Sequence, residues 1–263
     1  MKMRGRDWAF VAEDADAYQG LAPSTERDVR PELVLVHRAG GESWSNLACR
    51  IRFETGTADT SIATARDWFR ERGAGSFRWL VGSSATPGDI ASRVVASGAV
   101  PDQDEPELTA MVLDREPPAV SGVAVRPVVS YADFAQMERI REAVFGPTPT
   151  ASVDPVSVRR ARWSEAQATP GYAAFIAELD GEAVAFGVMI ATDPGPMLLA
   201  GGVTLPAART RGAYRALVHA RWEAAERAGV AVLVTQAQAS SRPILERLGF
   251  RRTGIIQVLT DRS

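Results

Sequence analysis

Apolar residues recur at two different periods in the second half of this 263-residue chain. Ala173–Leu179, Glu182–Ala191 and Met197–Leu205 are apolar runs of strand length. The first two are joined by Asp180-Gly181, a pair suited to the left-handed backbone of a two-residue hairpin. Val123–Val129 and Val230–Gln236 add two more strands. Elsewhere the spacing changes to three and four. Phe134, Met137, Ile140, Val144 and Phe145 point inward from a helix over Tyr131–Phe145. A second helix runs from Asp154-Pro155 to about Gln167, with Asp154 as its cap and Pro155 at its first position. A third follows Gly212, where Ala213, Ala216, Leu217, Ala220, Ala224 and Ala228 form a narrow face that can lie close against a sheet. Ser240–Phe250 closes the series as a short helix ending in Leu-Gly-Phe. Strands and helices in this order predict an α+β fold with a mixed, mostly antiparallel sheet flanked by helices.

The first half repeats part of this layout. After an acidic, alanine-rich stretch at Ala12–Ala17 and breakers at Pro23 and Pro31, strands are expected at Leu33–His37 and Ser45–Phe53, with a turn at Gly40-Gly41 between them. Ile62, Ala65, Trp68 and Phe69 mark a helix over Ser61–Arg72 that stops at Gly73. Phe77–Val81 (strand), Pro87–Ser97 (helix) and Leu108–Leu113 (strand) follow, with Pro101–Glu107 as a solvated acidic loop. Ser83-Ser84-Ala-Thr-Pro87 echoes Ser240-Ser241-Arg242-Pro243, each after an apolar strand that follows a helix ending in glycine. Arg115–Ala119, with consecutive prolines, is the best linker. The division expected is 1–116, a linker at 117–122, and 123–263.

The chemistry concentrates in Val203-Thr-Leu-Pro-Ala-Ala-Arg-Thr-Arg-Gly-Ala-Tyr214. A strand runs into a basic, glycine-containing turn and then a helix. Helix-start N–H groups lack intrahelical partners and carry partial positive charge. Gly212 admits close approach of a ligand, and Arg209 and Arg211 add fixed charge. Such a turn is an anion site, and a diphosphate is its natural occupant.

Arg209-Thr210-Arg211-Gly212-Ala213-Tyr214 resembles the [Q/R]-x-x-G-x-[G/A] signature of the GCN5-related N-acetyltransferase (GNAT) superfamily, with Tyr214 departing at the last position. The downstream helix, strand and Leu-Gly-Phe helix continue the resemblance. It implies two GNAT-like domains in tandem, the first degenerate: its corresponding loop, Thr55-Gly-Thr-Ala-Asp-Thr60, has no arginine and one acid. It also implies acetyl-CoA as acyl donor and a small-molecule amine as acceptor. Main-chain groups of Val203, Thr204 and Leu205 would hold the pantetheine arm as an added strand. Arg209, Thr210, Arg211, Gly212, Ala213 and Tyr214 would hold the diphosphate, and Arg215 and Arg247 are candidates for the 3′-phosphate. The family's proton-donating tyrosine falls on Leu245, and the strand before the loop carries no carboxylate. Ser241, with Ser240 beside it, is the candidate catalytic donor; Glu138, Glu142 and Glu178 are candidate bases. These gaps keep open a non-catalytic acyl-CoA-binding or scaffolding protein as the alternative.

Composition narrows the classes. The net charge of −2 and pI near 5.8 argue against broad nucleic-acid or anionic-membrane binding. Lys2 is the only lysine, so 29 of the 30 basic residues are arginine, a usage typical of high-GC bacteria. Cys49 is the only cysteine, which excludes an internal disulfide and a cysteine-based metal site; no metal is expected. His219 reads as structural. No apolar run reaches about 18 residues, and the N-terminus lacks the apolar core of a secretory signal. A cytoplasmic protein, monomer or homodimer, is expected.

Overall fold

The computed structural model describes residues 7–39, 43–146, 154–193 and 195–262. Helices α1 (Ala9–Glu13) and α2 (Ala15–Tyr18) lead into strands β1 (Thr25–Val29), β2 (Val34–Arg38) and β3 (Leu47–Cys49). Helix α3 (Ala58–Glu71), β4 (Phe77–Gly82), α4 (Ile90–Ala96), β5 (Val100–Pro101) and β6 (Glu107–Leu113) complete the first half. The second half has β7 (Ala124–Pro127), α5 (Tyr131–Phe145), α6 (Pro155–Ala168), β8 (Ala173–Leu179), β9 (Glu182–Ala191) and β10 (Met197–Thr204). It ends with α7 (Ala213–Arg227), β11 (Leu233–Ala237), α8 (Arg242–Arg247) and β12 (Arg251–Asp261).

All twelve strands join one sheet in the order β1-β2-β3-β4-β12-β6-β11-β10-β9-β8-β7, with β5 added against β12. The last strand of each half lies against strands of the other. β12 pairs with β4 from Ile256 opposite Gly82 to Asp261 opposite Phe77, while β6 pairs with β11 from Leu233 opposite Leu113 to Ala237 opposite Thr109. β6 and β12 also pair with each other at the centre. Every pairing is antiparallel except β3–β4 and β10–β11.

Alternation sets the two faces, because successive strand residues point to opposite sides. On β8, Phe175 and Ala177 pack with Leu217, Trp222 and Ala225 of α7, whereas Ala174 and Ile176 pack with Phe134, Met137 and Ile140 of α5. In the first half, Leu35, Phe77, Trp79 and Val81 pack under α3 and α4. The opposite side, Val34, Val36 and Leu80, joins Val234, Ile256 and Val258 under α1 and α2. The helix ends follow local chemistry. Ser130 and Asp133 form a reciprocal capping box at α5, and the Asp154 carboxylate accepts from the N–H of Val156 and Ser157 at α6. Asp180 (φ 54°) and Gly181 (φ 82°) both take the left-handed turn between β8 and β9.

Several expectations are corrected. The strand expected over Ser45–Phe53 is only Leu47–Cys49, because Arg50 takes a left-handed φ of 52°. Helix α3 starts earlier than Ser61, at Ala58, and α4 starts at Ile90 rather than Pro87. β11 covers Leu233–Ala237, and α8 is confined to Arg242–Arg247. Strands β1, β5 and β12 were not anticipated. The acidic loop is not simply solvated. Asp102 is buried, accepts from the N–H of Asp104 and Glu105, and pairs with Arg78 at 2.9 Å. Gly40-Gly41 and residues 147–150 lie outside the described residues.

The exchanged strands make one cooperative unit the expected outcome. Urea unfolding followed by far-UV circular dichroism and by tryptophan fluorescence should give one coincident transition. Two separated transitions would show that the halves unfold independently.

Candidate active site

β10 and β11 run parallel for only two residue pairs, Met197 with Leu233 and Leu198 with Val234. Beyond that point they part. On its other edge β10 remains paired to β9, but the register slips between Leu199 and Gly201, a bulge centred on Ala200. Ala200, Gly201 and Gly202 are exposed although they lie inside an interior strand. β11 does not need β10 to stay in place, since β6 holds it along its whole length. Across the mouth the Thr235 hydroxyl donates to the Leu199 carbonyl at 3.2 Å.

Beneath the bulge lies Arg221 of α7, 1% exposed. Its Nη1 donates to the carbonyls of Val188 (3.0 Å) and Gly201 (3.1 Å), and its Nε to Leu217 (3.0 Å). Burial pulls its pKa down to about 10, which still leaves it charged at neutral pH. The space it fills requires glycine: a Cβ on Gly187 would come 2.8 Å from its guanidinium carbon. On Gly202 a Cβ would meet the Tyr214 ring at 2.8 Å. Arg221 therefore fixes the kink from below by satisfying carbonyls on both strands.

After β10 the chain makes a short helical turn at Pro206–Ala208 and enters α7 at Gly212, whose φ of 91° is left-handed. Thr210 is also left-handed, at φ 67°. No side chain caps α7. Its first N–H groups point outward, and by helix geometry they have no intrahelical acceptors. Arg209 and Arg211 are both exposed, Arg211 reaching Asp180 at 2.9 Å. The Tyr214 side chain turns away from the loop, onto Gly202 and Arg221, and burial raises its pKa. Its contribution at the helix start is thus its main chain.

Two cavities open between the halves, of about 970 and 570 Å³. Both are lined by Asp16, Trp44, Leu47, Ala200 and Gln236, so they meet at the mouth between β10 and β11. The smaller has α5, α6 and β9 as one wall, with Phe134, Met137, Tyr172 and Phe186 facing in. Charges on that wall are paired internally. Glu138 holds Arg162 at 2.7 Å and Arg141 at 3.2 Å, and Glu165 pairs with Arg38.

The structure sorts the expected site residues. Val203 and Thr204 pair with Phe186 and Ala185 of β9, and Leu205 continues the strand by donating to the Val184 carbonyl. The open stretch lies just before them, at Ala200–Gly202. Ser241 is the N-cap of α8, and its hydroxyl donates to the Gln238 carbonyl at 3.2 Å; Ser240, not Ser241, lines the larger cavity. Leu245 is buried among the side chains under α7. Of the candidate bases, Glu138 reaches the smaller cavity but is tied to two arginines, Glu142 pairs with Arg159, and Glu178 pairs with Arg126. Cys49 is buried with its pKa raised well above the usual thiol range by that burial. Among the described residues no group of three or more His, Cys, Asp or Glu is placed to hold a metal, and no helix is long and apolar enough to cross a membrane.

Asp16 is the group the sequence did not single out. Its carboxylate accepts from the Gln19 side chain at 2.8 Å, and the Gln236 amide, which donates to the Glu13 carbonyl at 2.9 Å, lies beside it. Burial raises its pKa to about 6, against the Gln236 amide, which lowers it. Asp14 is likewise raised to about 6 by burial, although Arg52 pairs with it at 2.8 Å and opposes the shift.

No protein-family model and no curated protein matches the chain. Solved structures do. A GCN5-related N-acetyltransferase from Kribbella flavida, 18% identical, matches with a TM-score of 0.66 over 97% of this chain and 95% of its own. A conserved protein of unknown function from Staphylococcus epidermidis, 12% identical, matches at 0.68 over 99% of each chain. A tandem GNAT protein from the clavulanic acid biosynthesis pathway, 17% identical, matches at 0.63 over 97% and 93%. The mixed sheet with its parted parallel strands is an α+β fold. At full-chain coverage that fold is the GNAT fold.

The two raised carboxyls set a pH dependence. In the folded chain each holds its proton more tightly than in the unfolded chain, where the pKa is near 3.8. Their contribution to stability is therefore fully present below about pH 4 and is lost as pH rises through about 6. Asp16→Asn keeps the shape and removes the charge. It should raise the melting temperature by about 2–6 °C at pH 8 and have almost no effect at pH 4. Thermal melts at the two pH values check this; an equal effect at both would mean the carboxyl titrates normally.

Proposed function

We propose that this protein is an acyl-CoA-dependent N-acyltransferase, taking an acetyl group from acetyl-CoA to the amine of a small acceptor in a ternary complex. We read the chain as two GNAT-like units in tandem, 1–116 and 123–263 with a linker at 117–122, of which the second binds the acyl donor. The observation that carries this reading is the parting of β10 from β11, with the exposed Ala200–Gly202 edge inside it and the left-handed Gly212 turn at its end. An extended, amide-bearing arm adds to an open strand edge through main-chain hydrogen bonds. A diphosphate suits the uncapped start of α7 beside Arg209 and Arg211.

The first unit offers no equivalent opening. β3 and β4 also run parallel for two residue pairs, Leu47 with Arg78 and Ala48 with Trp79. Beyond them the chain closes again: Phe53 N–H donates to the Thr86 carbonyl, and Thr86 N–H to the Ile51 carbonyl. This unit is read as a partner in assembling the site, without an acyl donor of its own. The smaller cavity, walled by aromatic side chains on one side and Asp16 on the other, supports a small amine as acceptor. A thiol of ordinary pKa, about 8.5, is a tolerable leaving group, so the absence of a tyrosine at Leu245 does not bar transfer. Ser241, tied to the Gln238 carbonyl and lining neither cavity, is therefore not needed as the donor, and water can protonate the sulfur.

The test is a thermal-shift titration with acetyl-CoA, CoA and ATP, followed by an assay of amine-dependent thiol release. Ligand at about 100 times its dissociation constant adds about 2.7 kcal/mol of stability. Acetyl-CoA and CoA should both raise the melting temperature and ATP should not. Arg209→Glu, an exposed change, should weaken CoA binding about tenfold or more. Binding without amine-dependent release would favour the alternative, a non-catalytic acyl-CoA-binding protein. No shift with either CoA species would overturn the reading.

A further inference from the structure

We propose that Asp16, delivered by the N-terminal segment, is the general base of the acyl-transfer site formed by the second half of the chain. The proposal rests on the acyl-CoA reading above and names the group that reading lacks, since β10 carries no carboxylate.

The placement follows from the sheet. α1 and α2 lie across β6, β11 and β12 rather than over the first half alone, with Val11, Ala12 and Ala15 packed on Val112, Val234 and Ile256. That packing brings Asp16 against Gln236 of β11, in the stretch beyond the last β10–β11 pair. Asp16, Ala200 and Gln236 line both cavities at the point where the cavities meet. A donor arm along the Ala200–Gly202 edge and an amine entering through the smaller cavity therefore converge on this carboxylate. It sits at an entrance shared by two bound molecules, which a purely structural acid has no need to do.

Among the described residues no cationic group pairs with Asp16. On its own segment the neighbour is Asp14, which Arg52 holds. From β2, α5 and α6 the facing groups are the Arg38–Glu165 pair and Glu138 with Arg141 and Arg162. The larger cavity adds Arg78, held by Asp102 and Glu105, and Asp104, Glu107 and Arg242 along its wall. The groups that favour its charged form are neutral amides, Gln19 bonded at 2.8 Å and Gln236 beside it. A neutral hydrogen-bonded setting of this kind orients a carboxylate and leaves it free to accept a proton. Its pKa, raised to about 6 by burial, suits a base working at neutral pH.

The step balances as follows. The neutral amine attacks the acyl carbon, a C–N bond forms, and the nitrogen becomes cationic. Asp16 takes the proton it sheds. The C–S bond breaks, the sulfur leaves with the electron pair and takes a proton from water, and Asp16 returns its proton to solvent.

The experiment uses the full chain with acetyl-CoA and three probe amines: ethanolamine, phenethylamine and spermidine. Thiol release is read with a thiol reagent between pH 5 and 9; Cys49, the only cysteine, is buried and silent. Wild type is expected to show an acidic limb in kcat/KM near pH 6 with at least one amine. Asp16→Asn should lose about 100-fold in kcat and lose that limb, while its acetyl-CoA affinity stays within about twofold. Asp16→Glu should recover part of the rate, which a loss of fold would not allow. If Asp16→Asn keeps the rate or the limb, the assignment is overturned. It is also overturned if wild type binds acetyl-CoA yet acetylates none of the three amines at any pH. Failure of wild type to bind acetyl-CoA would instead sink the acyl-CoA reading, and the proposal with it.

Discussion

The structure depends on the exchange of two strands. β6, made by the first half, pairs with β11, and β12, the end of the chain, pairs with β4. A strand in a sheet needs its backbone groups satisfied, and an interior strand normally uses both edges. Because β6 satisfies one edge of β11 over five residues, β11 can leave β10 after only two without becoming a loose end. The open edge is thus supported from the far side, by a strand belonging to the other half. The same exchange creates the continuous surface under α1 and α2, which brings Asp16 across.

Arg221 does the complementary work within the second half. A bulge at Ala200 strands two carbonyls, and a buried guanidinium with forked donors reaches both. An isolated buried charge is costly; here three carbonyl acceptors offset that cost, from Leu217, Val188 and Gly201. Gly187 and Gly202 are the sequence trace of that arrangement, since any side chain there would collide with Arg221 or Tyr214. The exposed edge is therefore rigidly presented rather than frayed, which an added strand requires.

Much of the second half was legible because its signals are local. An Asp-Pro helix start and an Asp-Gly hairpin each act within a few residues, and the structure has both. The first half was harder. A strand drawn through Ser45–Phe53 breaks at Arg50, whose left-handed backbone nothing in the sequence announces. Beyond Phe250 the run Ile255-Ile256-Gln257-Val258-Leu259 has the composition of a strand, but only the tertiary exchange explains why it lies mid-sheet. Asp16 was hidden for the same reason. Ala12-Glu-Asp-Ala-Asp-Ala17 reads only as an acidic, alanine-rich stretch, yet Glu13 and Asp14 are buried and Asp16 is half-buried. The neighbourhood of Asp16 is set by a distant strand, since Gln236 of β11 lies 220 residues further along the chain (236 − 16).

The two halves share an order of elements but differ at the decisive point. Each has a parallel pair limited to two residues. In the second half the strands stay apart and lead to the basic turn at Arg209–Gly212, the diphosphate site proposed above. In the first, Arg50 turns the chain so that Ile51 and Phe53 bond Thr86, and the Glu13 carboxylate takes the Ser84 N–H at 3.0 Å. The segment that fills this position is continuous with the one that carries Asp16, separated from it by two residues, Asp14 and Ala15. Closing the first opening and supplying an acid to the second are consequences of one packing event, the seating of α1 and α2 on the central strands. If the second half holds the acyl donor as proposed, the segment that closes one opening is the one that serves the other.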